Sequence, residues 1–110
     1  MIDRRRAAMR AGAVGAVLVL LGAAAMQVHP VIQKGRAFNL ADVAIAVGDT
    51  VEFENQDEFL HQIYVKSDAF NFESAEQPPG ENVPLRFPVA GTFEVLCEIH
   101  PKMHLTVTVK

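Results

Sequence analysis

The chain of 110 residues has one cysteine, Cys97, so no disulfide can form within it. A lone cysteine leaves three uses: pairing with another molecule, a free thiol, or metal ligation. The motifs of several enzyme classes are missing as well. There is no Gly-rich phosphate loop, no His-Glu-x-x-His zinc motif, and no local pattern that suggests a Ser–His–Asp set. Internal repeats and low-complexity linkers are also absent. Positive charge is scarce: ten Lys and Arg stand against thirteen Asp and Glu. Residues 1–25 hold four of those arginines and Asp3, so the remainder carries six positive and twelve negative side chains, about −6. Nucleic acid is a poor partner for such a surface, because phosphate contacts need Lys and Arg. An acidic domain is steered instead toward positively charged partner surfaces.

The missing charge in one long apolar run defines the N-terminus. Arg4, Arg5, Arg6 and Arg10 precede an uncharged stretch from Ala11 to Val28, and Ala23-Ala24-Ala25 offers small residues for cleavage. Residues 1–25 therefore read as an export signal helix, cleaved after Ala25. The run also approaches the ~18–20 residues needed to span a bilayer, so an uncleaved membrane anchor is the competing reading. The arginine triplet fits either the general or the twin-arginine route. Both readings put residues 26–110 outside the cytoplasm as one exported, periplasmic-type domain. A core of that size without disulfides is marginal, and a bound metal favours the folded state.

From Val43 onward the apolar residues alternate. Val51 and Phe53 oppose Glu52 and Glu54; His61, Ile63 and Val65 oppose Gln62, Tyr64 and Lys66. Phe93, Val95 and Cys97 oppose Glu94, Leu96 and Glu98, and Met103, Leu105, Val107 and Val109 oppose His104, Thr106, Thr108 and Lys110. Period-two patterning bounded by Gly48-Asp49 and Ala90-Gly91 predicts an all-β antiparallel sandwich. From Ser67 to Pro84 the pattern fades: Phe70 and Phe72 can pack inward, while Glu73 to Val83, with Pro78-Pro79-Gly80, reads as loop.

Strand parity aims three residues into the interior at strand ends: His61, Cys97 and Met103. His100 falls in the loop between the last two. The resulting Cys97-x-x-His100-x-x-Met103 motif with His61 is a thiolate, two imidazoles and a thioether. That soft set suits a mononuclear blue-copper electron-transfer site, with two His and one Cys in a trigonal plane and a weak axial Met. Such a set serves Cu(I) and Cu(II) with little rearrangement. Pro101 limits the backbone freedom of the loop. His104 has outward parity and reads as a surface residue, as does His29 beside Pro30. A Cys–His nucleophile pair would leave Met103 and His61 without a purpose.

The same residues resemble the cupredoxins, the blue-copper family that includes plastocyanin, pseudoazurin and amicyanin. The likeness runs through Val47-Gly48-Asp49-Thr50-Val51-Glu52-Phe53, Asn55-Gln56-Asp57-Glu58-Phe59-Leu60-His61, Pro88-Val89-Ala90-Gly91-Thr92-Phe93 and Cys97-Glu98-Ile99-His100-Pro101-Lys102-Met103. The two-residue gap from His100 to Met103 is most similar to amicyanin and small proteins of methylamine utilisation. The resemblance implies a Greek-key sandwich and copper held by His61, Cys97 and His100 with Met103 axial. It further implies a monomeric one-electron carrier, not an enzyme. Its donor and acceptor proteins would dock near His100, over an apolar patch formed by Leu60, Pro101 and Pro30. Three residues depart from the pattern: Gln62 where Asn is frequent, Glu98 beside the thiolate, and Lys102 in the loop. Two other functions compete: a copper carrier or storage module, and a catalytic red-type copper protein using His104 or Glu98 in place of Met103.

Overall fold

The computed structural model describes residues 25–110. The signal or anchor helix expected for residues 1–25 falls, but for Ala25, outside them. Eight strands follow in order: β1 Val28–Gln33, β2 Asp42–Ile45, β3 Thr50–Asn55, β4 Ile63–Val65, β5 Phe72–Glu73, β6 Asn82–Arg86, β7 Gly91–Cys97 and β8 His104–Val109. They form a three-stranded sheet, β1-β3-β6, and a five-stranded sheet, β2-β8-β7-β4-β5. The chain changes sheet after β1, β2, β3, β5 and β6, which gives the Greek-key sandwich expected from the sequence. Two pairings, β1 with β3 and β2 with β8, run parallel; the others are antiparallel. Among the described residues no helix is long and apolar enough to cross a membrane.

The alternating residues meet between the sheets. Val51 and Phe53 of β3, Ile63 and Val65 of β4, Phe93 and Val95 of β7, and Leu105, Val107 and Val109 of β8 are all buried. Each such side chain contributes roughly 1.5–3 kcal/mol on burial. Phe70, Phe87 and Phe93 form an aromatic cluster with ring centroids 5.5–5.9 Å apart. Phe70 and Phe72 pack against the core, as their positions suggested.

Two segments differ from the sequence reading. The stretch read as loop up to Val83 already contains the start of β6, paired with β3 from Asn82↔Glu54 to Arg86↔Thr50. Val83 and Leu85 turn inward between exposed Asn82, Pro84 and Arg86, but two apolar residues around a proline make a short signal. Pro84 is tolerated because β6 is an edge strand and needs no second ladder there. Strand β1, with His29 and Pro30 inside it, carries no strong periodic signal either. It pairs only with β3, also at a sheet edge.

The fold delivers the candidate ligands to one end. Strand β3 ends at Asn55, just before Asp57; β7 ends at Cys97; β4 begins after His61 and β8 after Met103. The β4, β7 and β8 termini share one end because the β4–β7 and β7–β8 pairs are antiparallel, and the end of β3 joins them through the bonds from Asn55 to the Phe59 and Gln77 carbonyls.

Candidate metal centre

Three donor atoms converge at that end. His61 Nδ1 lies 3.6 Å from Cys97 Sγ, His100 Nδ1 lies 4.0 Å from the same sulfur, and the two ring nitrogens are 3.2 Å apart. His61 and Cys97 are buried and His100 is half-buried. Trigonal ligands at the ordinary metal–nitrogen and metal–thiolate lengths would stand roughly 3.5 and 3.7 Å from each other. The observed separations match a single ion at their centre. Of the four sequence candidates, the structure brings these three together. The fourth, Met103, is buried at 1% exposure immediately before β8, and its N–H bonds the His100 carbonyl at 3.0 Å, closing the loop.

The tautomer of His61 is set by its surroundings. Its Nε2 meets Asp57 Oδ2 at 3.1 Å, with both side chains almost wholly enclosed. A carboxylate only accepts, so Nε2 carries the proton and donates it, and the Nδ1 lone pair faces Cys97 and His100. Burial holds the His61 imidazole below its ordinary pKa, His100 adds to this, and the Asp57 bond opposes it. The ring is thus kept neutral and able to ligate. Burial also pushes the Asp57 carboxyl upward, but the N–H groups of Arg36 and Glu58 and the bond to His61 outweigh it, leaving a pKa of about 2. A carboxylate behind a metal-facing histidine is a common way to orient the ring and raise its basicity.

His61 is held at its backbone too. It exchanges two hydrogen bonds with Gln77, His61 N–H to Gln77 O at 3.1 Å and Gln77 N–H to His61 O at 2.7 Å. The buried Gln77 side chain donates to the carbonyls of Phe53 and Glu81 and accepts from Gln33 Nε2. Asn55 donates to the carbonyls of Phe59 and Gln77 and accepts the Asp57 N–H. Buried amides satisfied on this scale rigidify their neighbourhood.

Cys97 receives the Gln62 N–H at 3.3 Å, and Glu98 N–H returns to the Gln62 carbonyl at 3.0 Å. Gln62 therefore braces the start of the ligand loop through its backbone. The Gln62 side chain turns away and donates to the Ser74 carbonyl. Glu98 is exposed; some loss of solvation and the neighbouring Glu73 carboxyl push its pKa up.

His104 lies on the outer face as its parity required, paired with Glu94 across the β7–β8 ladder. His29, read as a surface residue, is instead half-buried and bonds Asp49 Oδ2 at 3.0 Å. Pro30 stands opposite Glu52 in the middle of the β1–β3 ladder, away from the ligands, so it cannot join a patch around His100. The exposed apolar residues beside His100 are Phe59, Leu60, Ile99 and Pro101. Four contributors escaped the sequence reading: Arg36, Phe59, Gln77 and the role of Asp57. Asp57 alone had a local signal, four residues before His61.

Comparison with known proteins agrees with this geometry. The family described as copper binding proteins, plastocyanin/azurin family, matches residues 25–110. No curated protein matches the chain. Among solved structures, a purple cupredoxin from Nitrosopumilus maritimus aligns over 74% of this chain and 99% of its own, with 22% identity and a TM-score of 0.67. Amicyanin from Paracoccus versutus aligns over 76% of this chain and 81% of its own, with 22% identity and a TM-score of 0.70. A Cu-containing nitrite reductase from Thermus scotoductus SA-01 is 28% identical over 81% of this chain, with a TM-score of 0.69, but the match spans only 24% of that enzyme. With a family match over all the described residues and a His61–Cys97–His100 cluster placed to hold one metal ion, the chain belongs to the plastocyanin/azurin family of copper-binding proteins.

Proposed function

We propose that this protein is a blue-copper electron carrier of the periplasmic type, with residues 26–110 as the functional domain and residues 1–25 as its export signal. His61, Cys97 and His100 would hold the copper, and Met103 would add its thioether. Bound copper supplies a one-electron Cu(I)/Cu(II) couple. The observation that carries this reading is the convergence of one thiolate and two imidazoles at 3.2–4.0 Å, two of them beside strand ends and the third, half-buried, in the loop after β7.

The chain's own residues do the rest of the work. Asp57 and the Gln77 backbone hold His61 in one orientation, so neither oxidation state needs the ring to move. The Gln62 N–H stabilises negative charge on the Cys97 sulfur. Burial of His61, Cys97 and Met103 keeps water from the centre. His100 is the ligand nearest solvent, so its ring would offer bound copper the shortest way out to a protein seated on Phe59, Leu60, Ile99 and Pro101. Buried ligands and a rigid cradle disfavour the metal-carrier alternative, in which copper must be released easily. A further catalytic copper ligand is also disfavoured, because His104 pairs with Glu94 on the outer face.

The test is the visible spectrum of the copper-loaded protein beside its Cys97→Ser and Met103→Leu variants. An intense thiolate-to-copper band should appear, vanish in Cys97→Ser, and persist in Met103→Leu with a raised reduction potential. A folded protein with no such band would sink the carrier reading.

A further inference from the structure

Beside His100 the chain adopts an unusual backbone. Arg36 has φ of +57°, the only positive value at a residue other than glycine among those described, and Gly35 before it is also left-handed at +64°. A side chain in that region costs on the order of 1 kcal/mol or more and persists only where neighbours enforce it. Two contacts do so here. The Arg36 N–H donates to Asp57 Oδ2 at 2.8 Å, the oxygen that also bonds His61. The guanidinium carbon sits 4.0 Å from the centre of the Phe59 ring, a cation–π contact. Phe59 in turn meets the His100 ring nearly edge-on, with centroids 6.1 Å apart and planes at 70°. Arg36 is exposed and Phe59 is 37% exposed, so the stack lies at the surface.

We infer that Arg36 is a fixed cationic recognition point at the electron exit, and that the redox partner presents a carboxylate to it beside an apolar face that covers Phe59 and His100. The inference deepens the carrier reading and rests on it. Three observations support it. The guanidinium is pre-organised by a ring and by a strained turn, so little side-chain entropy is lost on docking. It lies next to the half-buried ligand, not elsewhere on the rim. It is positive on a domain of net charge about −6, so it marks a local exception to the surrounding field. Lys34 and Lys102 are exposed near the same end, and Glu58 beside Phe59 opposes them. Among these only Arg36 has its position set by contacts on both backbone and side chain.

Small oxidants of opposite charge test this without a known partner. The reduced, copper-loaded protein gives one electron to hexacyanoferrate(III), forming hexacyanoferrate(II), or to tris(phenanthroline)cobalt(III), forming the cobalt(II) complex; no atom or proton is transferred. Arg36→Gly suits the left-handed backbone and keeps the N–H to Asp57, so it removes the guanidinium and its contact with Phe59 while sparing the support of His61. Lys110→Ala removes one positive charge at the opposite end of β8 as a control. At ~10 mM ionic strength, Arg36→Gly should slow hexacyanoferrate(III) about three- to tenfold and should not slow the cobalt complex but speed it, since its charge has the same size and the opposite sign. Arg36→Lys should restore most of the rate, and ~0.5 M salt should erase the difference. Equal effects of Arg36→Gly and Lys110→Ala, or no selective loss with the anion, would overturn the inference while leaving the carrier reading intact. A wild-type protein that forms its visible band but passes electrons to neither oxidant would overturn the carrier reading itself.

Discussion

The two ends of β3 carry the same chemical pair in different settings. At one end His29 bonds Asp49, and at the other His61 bonds Asp57, each with nitrogen and oxygen about 3 Å apart. The first imidazole is 25% exposed and the second is fully enclosed. Asp49 also accepts the N–H groups of Gln27 and Ala46, so it ties the start of β1 to the turn between β2 and β3. Those bonds, His29 foremost, lower its pKa. Asp57 makes the same kind of bonds to Arg36 and Glu58, but its histidine turns the free nitrogen toward a thiolate and a second imidazole. A His–Asp pair alone is therefore a clamp. It becomes part of a metal centre only where the third and fourth groups converge.

Substitutions at the two aspartates should separate these roles. Asp57→Ala leaves the buried His61 Nε2–H without an acceptor and should weaken copper binding about 10- to 100-fold, measured by competition with a chelator. Asp49→Ala should leave copper affinity and spectrum unchanged and cost about 1–2 kcal/mol of stability in urea unfolding, chiefly by loosening the start of β1. Equal loss of copper affinity in both variants would erase the distinction between clamp and metal centre.

Acid should also act on both ends, in the same direction. Both aspartates have folded-state pKa values below those of the unfolded chain, so their contribution is present above the unfolded value near 3.9 and lost as pH falls. For Asp57 the loss should run from about pH 4 to about pH 2. His61, held neutral by burial, adds an earlier effect. The unfolded chain takes up its proton first, so the metal-free fold should weaken as pH drops below about 6.5. Unfolding of the metal-free protein against pH checks both, and Asp57→Ala should shrink the lower step to the part that Asp49 contributes. The smallest expected effect is at the exposed His104–Glu94 pair. His104→Ala should change stability by no more than about 0.5 kcal/mol and leave the visible spectrum as it was.

Much of the site is legible in the sequence because its signals are local. Cys97, His100 and Met103 stand three residues apart, and alternation with Phe93, Val95, Leu105 and Val107 gives their direction. The same alternation places His61 inward and His104 outward, as the structure has them. Strand β6 is not legible, since its period rests on Val83 and Leu85 alone and is masked by Pro84 within it and Pro78-Pro79-Gly80 before it. His29 passes for a surface residue because its partner, Asp49, lies twenty residues away.

By itself the sequence determined the all-β sandwich, the soft donor set and the parity that turns the donors inward, because each depends on residue type and short-range spacing. Only the tertiary structure decided what surrounds the donors. Gln77 reaches Gln33 across 44 positions, Arg36 reaches Asp57 across 21, and the Phe59 ring is set between Arg36 and His100. Such contacts arise where strands distant in the chain end side by side, and no local pattern encodes which ends those will be.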